Sequence, residues 1–232
     1  MLAAALSIAP SPRGDNTPEM KIGDFEATLM HARVGDTTVA LWRVAELARH
    51  VDRAALLAAD EAPEPPYWAH LWSGAVVLAT AVPRGARRVL ELGCGLGLPG
   101  LTAARRGARV TFVDRVAAAL AFVRASARAN GLAAVDLVAA DATAPALAAR
   151  FDLVLAAELV YDRAAFPALA RALAGYLAPG GRALLADAGR IDTRAFYAEL
   201  DGAGLAWRAR EEPVREEGLP LTVKLVEVAP RC

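Results

Sequence analysis

Residues 89–100, with the sequence VLELGCGLGLPG, constrain the fold of this chain more than any other stretch. A short apolar run contains Glu91 near its end, three glycines follow at alternate positions, and Pro99 opens a segment of helical character. Glycine tolerates positive φ and lets a ligand touch the backbone, and proline suits the first turn of a helix because its missing N–H donor is not needed there. The stretch therefore predicts a strand, a tight loop and a helix start, an arrangement that forms ligand sites at the carboxyl edge of open α/β sheets.

Two ligand-binding patterns overlap in this loop. Gly95-x-Gly97-x-x-Gly100 satisfies the G-x-G-x-x-G pattern of dinucleotide sites, which is a weak signal by itself. The same loop, with Glu91 ahead of Gly93, resembles the acidic-glycine loop of S-adenosylmethionine (SAM) methyltransferases. A carboxylate before the glycines favours a ligand with a cationic amino-acid end and repels a pyrophosphate. We therefore prefer the SAM interpretation, and a nicotinamide-dependent reductase is the disfavoured alternative because the remaining chain is too short for a separate catalytic domain.

Composition excludes several classes of protein. The chain of 232 residues is 56% hydrophobic, enough for a large core, yet no window of about 18 residues is apolar and uncharged, so no membrane span is predicted. A formal net charge of +0 gives no support to nucleic-acid binding through bulk electrostatics. The two cysteines, Cys94 and Cys232, argue against a disulfide framework and a zinc site, so no metal is expected. Residues 1–10 lack the features of a signal peptide, and we expect a cytoplasmic monomer.

Residues 1–65 are predicted to be an extension that precedes a main domain at residues 66–232. Its predicted segments are a loose tail at residues 1–20, a β-hairpin of Phe25–Val34 and Thr37–Val44, a helix at Ala45–Ala59 and a proline-acid linker at residues 61–66.

The segment Pro66–Gly74 holds two tryptophans, a tyrosine and a histidine in a chain that is 6% aromatic. A helix is predicted from Ser73 to Ala81. Trp68 and Trp72, four residues apart, either pack this helix against the sheet or form a wall of the ligand pocket, and the sequence leaves both open. His70 is more simply interpreted as an ordinary surface or core residue.

Downstream of the loop, strands alternate with helices. The predicted strands are Arg109–Val113, Val135–Ala139, Phe151–Ala156 and Arg182–Ala186, and the predicted helices are Val116–Asn130, Ala164–Leu177 and Asp192–Ala203. Such alternation predicts a parallel sheet with right-handed crossovers. Two closing strands, Trp207–Val214 and Leu221–Val228, have no helix between them and predict an antiparallel hairpin beside the fifth strand. The predicted fold is a Rossmann-like, doubly wound α/β sheet of seven strands with this C-terminal hairpin and an N-terminal β-hairpin and helix extension.

An acidic residue lies at or just after the end of each parallel strand: Glu91, Asp114, Asp141, Glu158 and Asp187. Any one of them could be a solvated loop acid. Five in phase with the strands indicate a ligand site, because the carboxyl ends of parallel strands share one edge of the sheet.

With this strand pattern, residues 66–229 resemble the class I SAM-dependent methyltransferases. The resemblance implies SAM as cofactor, with the glycine loop against its methionine and ribose portions. It also implies that Asp114 accepts hydrogen bonds from the ribose hydroxyls and that Asp141 accepts one from the adenine amino group, with Ala142 at the ring edge. The cofactor-binding residues implied in this way are Trp72, Glu91, Gly93, Cys94, Gly95, Gly97, Asp114, Asp141, Ala142 and Glu158.

A finer resemblance concerns the methyl acceptor. Glu158-x-x-Tyr161 is similar to the acid-x-x-aromatic motif of the seven-strand lysine methyltransferases, a group that includes nicotinamide N-methyltransferase-like proteins. Residues 66–69 (PYWA) and 187–190 (DAGR) resemble motifs of the electron transfer flavoprotein β-subunit lysine methyltransferases, with Ala188 in place of a proline. This resemblance implies methyl transfer to a protein lysine, with Glu158 orienting the amine and Tyr161 beside the transfer channel as the catalytic residues.

Two further functions stay open at this stage. A small-molecule amine, nicotinamide-like, could be the acceptor if the N-terminal residues cover the pocket, whereas a protein substrate needs an open groove. A non-catalytic SAM-binding protein with the same fold is the other possibility.

Overall fold

A computed structural model describes residues 6–9, 18–50, 66–132, 135–144, 146–216 and 218–231, and these form two β-sheets. The strands of the N-terminal sheet are β1 (Leu6–Ala9), β2 (Glu19–Ile22), β3 (Phe25–Val34) and β4 (Thr37–Val44). The strands of the main sheet are β5 (Arg88–Leu92), β6 (Arg109–Asp114), β7 (Asp136–Ala139), β8 (Phe151–Ala157), β9 (Leu177–Asp187), β10 (Leu205–Glu216) and β11 (Leu219–Pro230).

The main sheet has the predicted topology. Its strand order is β10-β11-β9-β8-β5-β6-β7, so β5 lies near the middle and the last two strands form one edge. The strands β5 to β9 pair in parallel, whereas β10 pairs antiparallel to β11 and β11 pairs antiparallel to β9. The Rossmann-like sheet with a C-terminal hairpin is therefore confirmed.

Helices cover both faces of this sheet. Those of the described residues are α1 (Ser73–Ala81), α2 (Leu98–Arg105), α3 (Ala117–Ala129), α4 (Phe166–Tyr176) and α5 (Arg194–Gly202). Alternate residues of each strand point to opposite faces, so Leu153 and Leu155 join the cluster that contains α1 to α3. Val154 and Ala156 join the cluster that contains α4 and α5. Burial on both sides explains why the central strands are continuous apolar runs.

The N-terminal hairpin has the predicted bounds, but it belongs to a larger sheet. β3 pairs with β4 along one edge, and β1 and β2 pair with successive parts of its other edge. The prediction of a loose tail over residues 1–20 is therefore wrong at β1 and β2. An unpaired edge of β3 would leave backbone donors and acceptors without partners, and the short apolar segment of β1 satisfies part of that edge despite the prolines around it.

The rest of the extension is only partly described. A single 3-10 turn at Leu47–His50 occupies the start of the helix predicted at Ala45–Ala59, and the remainder of that helix and the linker at residues 61–65 lie outside the described residues. The division into residues 1–65 and 66–232 stays a prediction.

Side chains at the C-terminal end of α3 and directly after it form hydrogen bonds with the outer edge of β4. Asn130 Oδ1 accepts a hydrogen bond from the Ala40 amide at 2.9 Å, and Asn130 Nδ2 donates to the Ala40 carbonyl at 2.6 Å. Ser126 Oγ accepts from the Trp42 amide at 2.9 Å. The sequence predicts Asn130 only as a helix end, yet its side chain replaces a neighbouring strand and fixes the N-terminal sheet to the main domain.

The strand predicted at Arg182–Ala186 begins earlier, at Leu177. Phe151 pairs with Leu177 and Leu153 pairs with Arg182, so the β8–β9 ladder has an irregularity between these two pairings. The Pro179-Gly180-Gly181 segment lies within β9 at this irregularity, and pairing with β8 continues on both sides of it. Among the described residues, no helix is long and apolar enough to cross a membrane.

Candidate functional site

A cavity of about 870 Å³ lies at the carboxyl edge of the main sheet. Its volume is in the range of sites that bind small molecules and cofactors. The structure brings together in its wall every residue that the sequence analysis assigned to the site, namely Trp72, Glu91, Gly93, Cys94, Gly95, Gly97, Asp114, Asp141, Ala142, Glu158 and Tyr161.

The glycine loop between β5 and α2 exposes its backbone to this cavity. Gly95 has φ +50°, and a Cβ there would lie 2.9 Å from the Trp68 carbonyl oxygen. Gly97 has φ +76°, and a Cβ there would lie 2.8 Å from a methyl group of Val123. Only glycine fits both the conformation and the space, so the loop must present bare peptide groups to a ligand.

Glu91 is buried beneath the loop with 2% of its surface exposed. Its Oε2 accepts a hydrogen bond from the Gly100 amide, in the first turn of α2, at 2.8 Å. A Cβ on Gly100 would collide with this carboxyl group and with the Phe112 ring. The third glycine of the dinucleotide-like pattern is thus explained by packing, and the protein's own carboxyl group lies at the helix start where a pyrophosphate would bind.

Burial governs the protonation of this part of the site. It raises the pKa of Glu91 to about 8, against the opposing hydrogen bond from Gly100 and with a further increase from the nearby Asp114 charge. Burial, followed by the charges of Glu91 and Asp114, raises the pKa of the Cys94 thiol well above its usual value. Cys94 is therefore a neutral wall residue at physiological pH.

Asp114 ends β6 and supports the glycine loop directly. Its Oδ2 accepts from the Gly95 amide at 2.8 Å, and its Oδ1 accepts from the Val116 amide at 2.9 Å. Burial raises the pKa of Asp114, and these two hydrogen bonds oppose that shift. A carboxylate has about four acceptor positions, so Asp114 can hold the loop and still accept from a ligand.

Asp141 and Ala142 follow β7 on the far side of the cavity from Glu158 in strand order. Asp141 is exposed, and its Oδ1 accepts from the Thr143 amide at 2.7 Å and from the Thr143 hydroxyl at 2.6 Å. The hydrogen bond from the Thr143 hydroxyl lowers the pKa of Asp141 most, and the hydrogen bond from the Thr143 amide lowers it further. The loop is held in a fixed turn, with an ionised carboxylate at neutral pH.

Glu158 follows β8 with a positive φ of 52°, which is unusual for a residue with a side chain. Its Oε1 accepts from the Gly74 amide at 3.1 Å, and its Oε2 accepts from the Ala188 amide at 3.4 Å. Burial raises the pKa of Glu158, and the Arg190 guanidinium, whose Nε lies 3.5 Å from Oε2, opposes that shift. Two backbone amides therefore fix the position of this carboxyl group.

The two tryptophans, left open by the sequence, have different surroundings. Trp68 belongs to a 3-10 turn (Tyr67–Ala69), and its ring centroid lies 5.3 Å from those of both Phe25 and Phe122, so it joins the N-terminal sheet to α3. Trp72 directly precedes α1, and the Arg190 guanidinium lies 4.5 Å above its ring. Trp68 is mainly a packing residue that also lines the cavity, whereas Trp72 is a wall residue beside charged groups.

Tyr161 lies at the mouth of the cavity with 53% of its surface exposed. The next residue, Asp162, accepts a hydrogen bond from the Ala164 amide at 2.9 Å and caps a short 3-10 turn before α4.

The sequence analysis included Asp187 among the acids of the ligand edge without assigning it a binding role, and it missed Arg190 as a member of the site. Asp187 ends β9, and its Oδ2 is buried without a hydrogen-bond partner. Arg190 follows three residues later in the β9–α5 loop. The strand-end position of Asp187 and the DAGR motif were the available signals, but neither indicates contact with Glu158 or Trp72.

Carboxyl groups outnumber arginines in the cavity wall, even when the protonated Glu91 is left out of the comparison. Six carboxyl groups (Glu91, Asp114, Asp141, Glu158, Asp162 and Asp187) line it, against two arginines (Arg115 and Arg190). This balance suits a cationic ligand better than a phosphate-rich one. The bare glycine loop, the carboxylates and the volume fit SAM, which carries a sulfonium and an ammonium group. Within the described ranges, no cluster of three or more His, Cys, Asp or Glu side chains could hold a metal ion.

Comparison with known proteins agrees with this geometry. Residues 89–181 match the family model described as a methyltransferase domain. The search of curated proteins found no match of significant similarity.

Solved structures share the fold. YcgJ from Bacillus subtilis is 14% identical with a TM-score of 0.55, over 68% of this chain and 98% of that one. The N-methyltransferase NodS from Bradyrhizobium japonicum is 19% identical with a TM-score of 0.54, over 68% and 93%. TrmN from Thermus thermophilus is 26% identical with a TM-score of 0.53, over 67% of this chain and 48% of that one. The main sheet and its helices therefore match a Rossmann-like methyltransferase fold, and a fold does not by itself select a methyl acceptor.

Proposed function

We propose that this protein is a SAM-dependent N-methyltransferase that methylates a lysine side chain of a protein. The observation that carries the proposal is one cavity with two chemically distinct ends. The glycine loop and Asp114 follow β5 and β6, whereas Glu158 follows β8 on the other side of β5 in the sheet, and Arg190 contacts both Glu158 and Trp72. An aromatic face next to a carboxyl group is the chemistry that recognises an ammonium ion.

The residues of the first end have defined tasks in cofactor binding. The backbone of the glycine loop contacts the methionine and ribose portions of SAM. Asp114 accepts hydrogen bonds from the ribose hydroxyls as well as from the Gly95 amide. Asp141 accepts a hydrogen bond from the adenine amino group, and Ala142 lies at the edge of the adenine ring. Glu91 supports the loop from below through its hydrogen bond with the Gly100 amide.

When bound, SAM supplies a methyl group already activated by the sulfonium. The chain's part is to position a neutral amine in line with it, because transfer forms an N–C bond with the nitrogen lone pair, and the electrons of the broken C–S bond remain on sulfur. A lysine amine has a reference pKa of ~10.4 and must first release a proton. Glu158, whose pKa burial raises, orients the amine, and Tyr161 lies beside the channel.

A small-molecule amine, nicotinamide-like, is the second candidate acceptor, because a cavity of about 870 Å³ is in the size range of small-molecule sites. Nucleic acid is not proposed as a partner, since six carboxyl groups against two arginines disfavour phosphates at the site. We further propose a monomer that acts in the cytoplasm.

Isothermal titration tests the cofactor. SAM and S-adenosylhomocysteine should both bind, and NAD(P) should not, because Glu91 already lies at the start of α2. Tight NAD(P) binding with no heat from SAM would overturn the proposal in favour of a reductase.

Methyl-labelled SAM tests the acceptor. Incubation with a lysate should label a discrete protein band, with methyl-lysine after hydrolysis. Label in a small molecule would replace the lysine proposal with the second candidate. Cofactor binding with no label in either fraction would indicate a non-catalytic SAM-binding protein.

A further inference from the structure

Arg190 occupies the end of the cavity that the proposed function assigns to the acceptor. Its guanidinium lies 4.5 Å above the Trp72 ring, and its Nε lies 3.5 Å from Glu158 Oε2. A lysine ammonium would be recognised by the same two groups, through the ring face and the carboxylate. A cation of the protein and the cation of the acceptor therefore compete for one place.

The contacts of Arg190 are unequal. Its Nη2 lies 3.1 and 3.0 Å from the two carboxylate oxygens of Glu216, at the tip of the β10–β11 hairpin, whereas it has one longer contact with Glu158. Glu216 is not part of the cavity wall. The guanidinium can therefore leave Glu158 and stay bound to Glu216 outside the cavity.

Glu158 does not need Arg190 to stay in place. The amides of Gly74 and Ala188 hold its two oxygens from α1 and from the segment after β9. Arg190 lies in the irregular β9–α5 loop directly after Gly189, which has φ +67°, and 41% of its side chain is exposed. Two amides hold the carboxyl group, whereas the arginine next to it is partly exposed and lies outside any helix or strand.

We propose that Arg190 is a displaceable occupant of the acceptor subsite, which a cationic acceptor side chain replaces between Trp72 and Glu158 while the guanidinium stays with Glu216. This inference rests on the proposed function. Displacement of Arg190 would make the subsite selective for a cation that can compete with the guanidinium for Trp72 and Glu158. An anionic group would meet the carboxyl groups of Glu158 and Asp187 in the wall, and a neutral group would gain nothing from displacing the arginine.

The probes are Nα-acetyl-lysine methylamide as cation, Nα-acetyl-norleucine methylamide as a neutral analogue that lacks the ammonium group, and Nα-acetyl-glutamate methylamide as anion. Each is titrated into protein saturated with S-adenosylhomocysteine. Arg190→Gln should bind the lysine probe about tenfold more tightly than the wild type. In the wild type, the probe binds only the fraction of molecules in which Arg190 has left the subsite, and this lowers the apparent affinity. Arg208→Gln, which loses an exposed pairing with Glu227 on the same hairpin, is the matched control and should not change this affinity.

A second variant separates competition from simple disruption. Glu216→Gln removes the outer resting place of the guanidinium, so Arg190 should stay on Glu158 and weaken binding of the lysine probe. Opposite effects of the two variants support the proposal. Unchanged or weaker lysine-probe binding in Arg190→Gln overturns it, as does a glutamate probe that binds the wild type and not this variant. Failure of S-adenosylhomocysteine to bind the wild type would overturn the proposed function itself.

Discussion

The Gly100 amide donates a hydrogen bond to Glu91 Oε2 at 2.8 Å, so the start of helix α2 is satisfied from within the protein. This pairing explains two features of the loop. The glycine is required because a side chain would collide with the carboxyl group, and Glu91 is kept in an apolar environment that favours its protonated form. The relationship links cofactor choice, loop geometry and pH dependence.

Glu91 should make folding stability depend on pH. Its pKa is about 8 in the folded state against a usual 4.5, so between these values the folded protein keeps a proton that the unfolded chain releases. The contribution of Glu91 is therefore greatest below about pH 4.5 and is lost as pH rises towards 8, with a slope of up to about 1.4 kcal/mol per pH unit. Urea unfolding of wild type and Glu91→Gln across this range measures the difference. Equal pH dependence of the two proteins would show that Glu91 ionises normally.

Asp114→Ala should weaken SAM binding by about 1.5–3 kcal/mol for each lost charged hydrogen bond. The sequence shows Asp114 only as an acidic residue at the end of a strand, so it predicts little loss of folding stability when Asp114 is replaced. The hydrogen bonds from Gly95 and Val116 alter this expectation, because their loss should also lower the free energy of unfolding. Titration calorimetry and urea unfolding measure the two effects, and unchanged SAM affinity would make Asp114 a loop-supporting residue only.

Glu158→Gln should keep SAM affinity and reduce turnover by on the order of 10²-fold, the usual scale for a positioned proton-handling group. Tyr161→Phe should be milder because the ring remains. The structure adds a complication, since both Glu158 oxygens accept from amides and the Gln nitrogen would face one of those donors. Thermal unfolding therefore accompanies the kinetics. Equal losses of SAM affinity and turnover would place Glu158 in the cofactor site instead.

Asn130→Ala should loosen the N-terminal sheet. Ala40 would lose both side-chain partners at the edge of β4, with an expected cost of about 1–3 kcal/mol in the free energy of unfolding. Arg124→Ala, an exposed residue of the same helix, is the control and should change stability by less than about 0.5 kcal/mol. If both variants are equally stable, the contact does not hold the sheet in place.

Much of the fold and of the cofactor end could be predicted from local sequence. Backbone preferences that act over a few residues are enough to predict three features: the strand before Glu91, the glycine loop and the helix end at Asn130-Gly131. The bounds of the β3–β4 hairpin and of α1 agree with the predictions because alternation and proline breaks are local signals. Parallel strands then bring their terminal acids to one edge whatever the loops contain.

The sequence by itself determined the succession of strands and helices, the parallel sheet with its C-terminal hairpin and the ligand edge, because hydrophobic periodicity and turn residues act over short distances along the chain. Only the tertiary structure decided which side chains meet across that edge. Arg190 reaches Trp72 and Glu216, and Asn130 reaches Ala40, over separations of many residues that carry no local pattern. The burial that raises the pKa of Glu91 also depends on the packing of separate elements around it, which a strand pattern does not encode.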